Sequence, residues 1–168
     1  MGEIHLICGK ICSGKSWYAR RLAEKENAVI LSCDDLSLSL FPPLLGDKHD
    51  EVMARVKAYL HARALDILST GTDVILEWGF WKRADRQNVR KFYEEKGIKV
   101  HWYHMDTSDE TLIERIDRRN EQVLAGMNRS YYVDEGLFKK MTANFEKPDD
   151  AEMNGDWVVI SDHDQIRP

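Results

Sequence analysis

The sequence has few cysteines, and those present do not form the pairs that bind metal ions or build disulfide frameworks. Only three occur, Cys8, Cys12 and Cys33, and all of them lie in the first fifth of the chain. No Cys-x-x-Cys pair is present, which argues against a zinc knuckle or a disulfide-stapled domain. We therefore expect reduced thiols, as in a cytoplasmic protein.

Long apolar runs are also missing. No stretch approaches the roughly 18 residues of a transmembrane helix, so no contact with a membrane is expected. The apolar run after Met1 lacks the pattern of a signal or transit peptide. The net charge of −5 argues against a broad nucleic-acid-binding face, although it allows a local basic patch.

What the chain does contain is an alternation of strand-like and helical patterns, as in an α/β protein with a parallel sheet. Near-continuous apolar runs predict strands at Ile4–Cys8, Ala28–Ser32, Val74–Glu77, Lys99–Met105 and Trp157–Ser161. Helices are predicted from about Lys15, over Asp50–Ser69 and Arg83–Lys96, after Ser108 and near Asp134. The segments Leu36–Lys48 and Asn120–Val133 fit no element, and loops this long are often lids or binding loops.

The residues between the first predicted strand and the first helix match G-x-x-x-x-G-K-[ST] in full. They are Gly9, Lys10, Ile11, Cys12, Ser13, Gly14, Lys15 and Ser16. Gly9 and Gly14 permit backbone angles that aim successive N–H groups at phosphate, and the following helix points its positive end there. Lys15 places a charge against the β and γ phosphates, and the Ser16 hydroxyl is a ligand for Mg²⁺. The motif predicts a P-loop that binds ATP or a close relative with Mg²⁺.

Three classes of P-loop protein compete for this motif. A signalling GTPase needs N-K-x-D and D-x-x-G, and neither occurs. A ring-forming ATPase needs a longer module with an aspartate-glutamate pair and an arginine finger, whereas the candidate strand reads Val74–Glu77 in a short chain. A small kinase needs an acceptor site, a carboxylate near the γ-phosphate and an arginine-bearing lid. Candidates for all three parts exist, which favours the kinase.

Carboxylates follow two of the predicted strands at the edge where ligands of open α/β sheets bind. Asp34 and Asp35 come directly after the second strand, and Glu77 ends the third. Asp34 could take the proton of an attacking hydroxyl, although aspartates in such places also cap helices or stay in loops. Glu77 could hold Mg²⁺ through water, or it could pair with a lysine at a strand end.

Arginines and aromatic residues complete the set of candidates. Arg115 and Arg119 share one helix face and could neutralise charge on the transferring phosphoryl group. Cations near a helix C-terminus are also favoured by the helix dipole alone. Four aromatic residues could wall an acceptor pocket or could pack in the core: Phe41, Trp78, Phe80 and Trp81.

In their order along the chain these motifs resemble the small P-loop kinases related to chloramphenicol phosphotransferase, zeta toxin and polynucleotide kinase. The likeness covers most of the chain, and the P-loop is its one highly specific motif. Its residues are Gly9–Ser16, Cys33–Leu36, Glu77, Arg86, Leu112–Asn120, Val133–Asp134 and Phe145–Pro148.

The resemblance implies a P-loop NTPase fold in three αβα layers, with a five-stranded parallel sheet in the order 2-3-1-4-5. Residues 1–168 would form one kinase domain with a helical lid at about 115–133. Lys15, Asp34 and Arg119 would be catalytic, and Arg115 would help to bind ATP. Arg86 would organise the acceptor side.

The chain also departs from the pattern of these kinases. Ser37 follows the aspartate pair where polynucleotide kinases carry an acceptor-side arginine, Glu77 stands where an aspartate is usual, and Val123 replaces a second lid arginine. We therefore expect a kinase that phosphorylates a hydroxyl of a small molecule, with Asp34, Asp35, Phe41, Glu77, Trp78, Trp81 and Arg86 on its acceptor side. A polynucleotide 5′-hydroxyl kinase and a regulatory nucleotide-binding protein are the alternatives. The oligomeric state and the acceptor itself are left open.

Overall fold

The computed structural model describes residues 1–42, 45–128 and 130–165. Pro43, Leu44 and Arg129, which fall in the two predicted loops, lie outside these residues. Five strands form one sheet: β1 (Ile4–Gly9), β2 (Val29–Ser32), β3 (Val74–Glu77), β4 (Val100–Asp106) and β5 (Trp157–Ser161). The sequence therefore located every strand of this sheet to within one residue at either end.

All the strand pairs are parallel, and the order across the sheet is β2-β3-β1-β4-β5. This is the order implied by the resemblance to kinases, and it is confirmed. The register pairs Glu77 with both Ile7 of β1 and Ser32 of β2, and it pairs Gly9 with Met105 of β4. The carboxyl ends of four strands consequently open onto one edge of the sheet.

In the described residues, seven α-helices connect and cover the strands. They are α1 (Lys15–Glu26), α2 (Cys33–Leu40), α3 (His49–Ser69), α4 (Arg83–Glu94), α5 (Asp109–Leu124), α6 (Glu135–Asn144) and α7 (Asp150–Met153). Within the described ranges, none of them combines the length and apolar character needed to span a bilayer.

Alternate residues along each strand face opposite layers, which gives the sheet two separate cores. On one face, Leu6 and Leu76 pack with the buried side of α3, which includes Leu60 and Leu68. On the other face, Ile7 and Ile75 pack with the buried residues of α1. This is the three-layer αβα arrangement, and burial on both faces explains the near-continuous apolar runs of the strands.

The two segments predicted to lie outside regular structure are partly helical. Cys33–Leu40 forms α2, because the Ser32 side chain accepts a hydrogen bond from the Asp35 N–H at 3.3 Å and caps the helix. Asp34 and Asp35 then occupy the first turn, where the helix dipole favours acidic residues. In the second segment, α5 continues to Leu124. The prediction of long loops was therefore wrong for these parts.

A buried ion pair fixes the turn that follows β3. The Arg86 guanidinium donates to both carboxylate oxygens of Glu152 at 2.7 Å, and the two side chains are 1% and 7% exposed. The same guanidinium donates to the carbonyl oxygens of Phe80 at 2.9 Å and Trp81 at 3.2 Å. One charged side chain thereby joins α4, α7 and the turn after β3.

We predict that Glu152→Ala lowers the free energy of unfolding by about 3–5 kcal/mol, because it leaves the Arg86 charge buried without its partner. Lys139→Ala is the matched control, since it breaks an exposed i,i+4 pair with Glu135 and should cost under about 1 kcal/mol. Urea denaturation of both variants measures the difference. Equal losses in the two variants would contradict the assigned role of the pair.

Candidate functional site

The P-loop is a tight turn between β1 and α1. Cys12 and Gly14 have positive φ angles of 56° and 94°, which turn the backbone into a concave loop. A Cβ atom at Gly9 would lie 2.5 Å from Ser13 Oγ and 2.9 Å from Met105 Cβ. Glycine is therefore required at the start of the loop by close packing.

The Lys15 side chain folds back over this loop. Its Nζ donates to the carbonyl oxygens of Lys10 at 2.6 Å and Gly9 at 3.2 Å. Burial lowers the pKa of Lys15, while the negative charges of Glu77 and Asp34 act in the opposite direction. The ammonium group is thus held by P-loop carbonyls, and the charges of Glu77 and Asp34 favour its protonated form.

Ser16 and Glu77 meet at the start of α1. The Ser16 hydroxyl donates to Glu77 Oε1 at 2.7 Å. Burial raises the pKa of Glu77, and the Ser16 hydrogen bond and the Lys15 charge only partly offset it. Mg²⁺ prefers oxygen ligands together with phosphate and water, so this pair of oxygen donors fits a magnesium ion at the loop.

Among the described residues, no larger metal-binding group competes with this pair. Across the part of the chain that the structure describes, no cluster of three or more His, Cys, Asp or Glu side chains could hold a metal ion. A magnesium ion at Ser16 and Glu77 would therefore depend on phosphate oxygens and water for its other ligands.

Asp34 and Asp35 occupy the first turn of α2 and have different surroundings. The charges of both aspartates raise the pKa of Glu77, and that of Asp34 also raises the pKa of Lys15. Asp35 lines a separate groove of about 560 Å³ between β2, α2 and α3, together with Tyr59. Of the two carboxylates, Asp34 is the one whose charge acts on the pKa of the P-loop lysine.

Cations of α5 lie against the other side of the P-loop. Arg115 Nη1 donates to the Cys12 carbonyl oxygen at 3.4 Å. Burial raises the pKa of the Cys12 thiol, whereas Arg119, Lys15 and Arg115 all lower it. The tip of the loop is thus surrounded by positive charge, as an anion site requires.

Two buried polar atoms at this site have no hydrogen-bond partner among the described residues. They are Ser13 Oγ in the loop and Arg119 Nε beside it. Buried polar groups are normally paired, so orphaned donors in an otherwise ordered site point to a missing acceptor. The phosphate oxygens of a nucleotide would supply one.

The aromatic residues that follow β3 do not line an open pocket together. Trp78 and Phe80 are 7% and 4% exposed and belong to the core that α3 covers. The Trp81 ring packs over Gly79, where an added Cβ would lie 2.0 Å from Trp81 Nε1. Phe41 is exposed just beyond α2. Of the residues predicted to contact an acceptor, Trp78 and Arg86 are thus enclosed by protein.

A cleft of about 400 Å³ opens beside the P-loop, at the carboxyl ends of β4 and β5. Six of its lining residues are Lys10, Asp106, Asp109, Phe145, Lys147 and Asp162. Ion pairs border it, with Lys147 Nζ 2.7 Å from Asp106 Oδ1 and Lys10 Nζ 2.6 Å from Asp109 Oδ1. The position agrees with the rule that ligands of open α/β sheets bind outside the carboxyl ends of strands.

Sequence reasoning missed the residues that brace the P-loop from β4. Thr107 Oγ1 donates to the Ser13 carbonyl oxygen at 3.0 Å, and Asp109 pairs with Lys10. Thr107 directly follows β4, whereas Asp109 is the first residue of α5. The strand-end rule that selected Asp34 could therefore have selected Thr107.

A family model described as "AAA domain" matches residues 4–148 of the chain. That description names a domain and not a reaction. No curated protein matches the sequence.

Solved structures share the fold. A candidate kinase from Chloroflexus aurantiacus j-10-fl has a TM-score of 0.75 at 19% identity, over 99% of this chain and 92% of that chain. A gluconokinase from Sinorhizobium meliloti 1021 has a TM-score of 0.62 at 18% identity, over 95% of this chain and 82% of that chain.

A chain of the Pnkp1/Rnl/Hen1 RNA repair complex has a TM-score of 0.69 at 23% identity, over 85% of this chain. The alignment spans only 43% of that longer chain. Identities this low show a common fold and nothing finer. Since the family model matches most of its length, the chain belongs to the AAA domain family of P-loop proteins.

Proposed function

We propose that the protein is an ATP- and Mg²⁺-dependent kinase, in a single domain, that phosphorylates a hydroxyl of a small molecule. One observation carries the proposal: the P-loop meets a carboxylate at the carboxyl end of β3, where the Ser16 hydroxyl next to Lys15 donates to Glu77 Oε1 at 2.7 Å. A kinase needs a phosphate-binding cation, a metal-binding carboxylate and an acceptor-activating carboxylate around one point. Lys15, Glu77 and Asp34 are our candidates for these three parts.

Each residue has a distinct part in the transfer. The acceptor oxygen forms a bond to the γ-phosphorus, the bond to the β,γ-bridging oxygen breaks, and ADP leaves. Asp34 takes the acceptor proton, while Lys15 and Arg119 hold the phosphate charge. Bound at Ser16 and Glu77, Mg²⁺ would neutralise phosphate charge. The nucleoside would extend from the loop into the cleft lined by Lys10 and Phe145.

A polynucleotide 5′-hydroxyl kinase is the second candidate, because one structural neighbour belongs to an RNA repair complex. The net charge of −5 and Ser37, at the place of an expected acceptor-side arginine, disfavour it.

Incubation with γ-labelled ATP tests both candidates. The acceptors are a panel of sugars, polyols and aromatic alcohols, with 5′-hydroxyl oligonucleotides in parallel. Label on a small molecule supports the proposal, and efficient labelling of the oligonucleotides alone supports the second candidate. Lys15→Ala, verified as folded, should label nothing. ATP binding by the wild type without any transfer would indicate a regulatory nucleotide-binding protein.

We predict that Asp34→Asn lowers turnover by about 10²–10⁴-fold, the usual contribution of a general base, while ATP affinity changes little. Asp35→Asn is the matched control. It keeps the size of the adjacent side chain and should lower turnover much less, since Asp35 faces a different groove. Steady-state kinetics and calorimetric ATP titration separate the two effects. Loss of activity in Asp35→Asn alone would assign the base to the neighbouring residue.

We also predict that Glu77→Gln makes the protein more stable and weakens its dependence on Mg²⁺. Burial raises the pKa of Glu77, so the ionised form costs stability that a neutral amide does not. In the wild type, this loss of stability is absent at acidic pH, where Glu77 is protonated. It grows as the pH rises through the raised pKa.

The difference in melting temperature between Glu77→Gln and wild type should therefore be near zero in acid and increase toward neutral pH. Thermal melts across this range, with Mg²⁺ titrations of activity at neutral pH, provide the measurement. A constant difference at all pH values would contradict the buried-charge explanation. Unchanged Mg²⁺ dependence would remove Glu77 from the metal site.

A further inference from the structure

One long side of β2 has no neighbouring strand among the described residues, because β2 ends the sheet and pairs with β3 alone. The Val29 N–H donates to the Asp73 carbonyl oxygen at 2.9 Å, so the backbone groups of Val29 and Leu31 face β3. Those of Ile30, between them, therefore point to the open edge. β2 contains neither lysine nor proline, the residues that commonly block such an edge.

The groove of about 560 Å³ that Asp35 lines lies along this edge. β2 contributes Ile30 and Leu31 to it, α2 contributes Leu36, and α3 contributes Leu60. The four residues of β2 span about 13 Å. The groove thus combines an unpaired strand edge with an apolar helical wall. Proteins that bind an extended peptide as an added strand use this combination, in which the strand edge supplies hydrogen bonds and the wall receives alternate side chains.

The charges around the groove are not balanced. Arg63 is neutralised by Asp66, with Arg63 Nη2 2.8 Å from Asp66 Oδ2, and its guanidinium lies 5.5 Å from the centre of the Tyr59 ring. The Asp35 carboxylate has no hydrogen bond or ion pair among the described residues, since the hydrogen bonds of Asp35 are made by its backbone atoms. One negative charge therefore remains at the α2 end of the groove, where it favours a cation on the occupant.

A second copy of the chain is poorly matched to this edge. Asp35 lies three residues after β2, and Glu26 lies three residues before it. Antiparallel pairing of two β2 strands about a central two-fold axis would therefore bring Asp35 of one copy toward Glu26 of the other. Like charges in such positions oppose pairing. A segment with a cation at this end fits better, which favours a different polypeptide as the occupant.

We propose that β2 and this groove bind an extended segment of a partner protein as a sixth strand of the sheet. The backbone of the segment pairs with the N–H and C=O groups of Ile30. Its alternate side chains are apolar and pack on Leu36 and Leu60, and a lysine or arginine at one end lies beside Asp35. The surface is separate from the P-loop, so binding of the segment requires neither a nucleotide nor the proposed kinase activity.

A phage-displayed library of random linear octapeptides supplies the probe. Selection on the wild-type protein should enrich peptides with apolar residues at alternate positions and a lysine or arginine at one end. The affinity of a selected peptide, measured by fluorescence polarisation, should fall about tenfold in Asp35→Lys. Asp50→Lys is the matched control and should leave the affinity unchanged. It reverses the charge of another exposed aspartate in the first turn of a helix, outside the groove.

N-methylated forms of the selected peptide test whether it binds as a strand. Methylation of one alternate set of amides, those that face β2, should lower the affinity about tenfold or more. Methylation of the intervening set should change it little. Failure of the selection to enrich any peptide, equal affinities of Asp35→Lys and wild type, or equal effects of the two methylated sets would each overturn the inference.

Amide hydrogen exchange, followed by NMR, locates the binding on the sheet. The selected peptide should slow exchange of the Ile30 amide, whereas the Leu31 amide is already protected by its hydrogen bond to β3. Unchanged exchange at Ile30 in the presence of saturating peptide would overturn the inference. So would a wild-type dimer, detected by light scattering, in which the Ile30 amide is protected without any peptide, because the edge would then belong to a second copy.

Discussion

The candidate site depends on the parallel register of the sheet. Because β1, β2, β3 and β4 all run in the same direction, the residues that end them are delivered to one edge. Pairing of Glu77 with both Ile7 and Ser32 sets the height at which the P-loop, the carboxylate of β3 and the start of α2 lie. A one-residue slip of β3 would turn Glu77 toward the opposite layer. The alternate packing of strand residues into the two cores, which fixes the register, therefore also fixes the positions of the site residues.

Burial of charge is the second constraint. Burial lowers the pKa of Lys15 and raises that of Glu77. The charged form of either group therefore lowers the stability of the folded protein. Their mutual attraction offsets only part of that loss. A site for phosphoryl transfer has a use for such groups, because fixed charges away from water act more strongly on the phosphate. This loss of stability arises at the P-loop, while the buried Arg86–Glu152 ion pair holds the turn after β3 in place.

The features of the fold and the site that depend on neighbouring residues could be predicted from the sequence. The P-loop is readable because the close approach at Gly9 and the left-handed angle at Gly14 restrict which residues fit. Helix α2 was missed although Ser32 and the acidic residues after it form a start signal. The burial of Trp78 could not be read, since it depends on the turn that Arg86 fixes through Glu152, 66 residues away.

Residues 130–133 lie against the helix that carries the proposed phosphate-binding arginine. Arg119 Nη2 donates to the Tyr131 carbonyl oxygen at 3.4 Å, and Asn120 is hydrogen-bonded to the backbone of Val133 in both directions. Arg119 Nε is buried and has no hydrogen-bond partner among the described residues. This nitrogen could therefore donate to a phosphate oxygen while the contact between Arg119 and Tyr131 is kept, so that phosphate binding would need no rearrangement of α5.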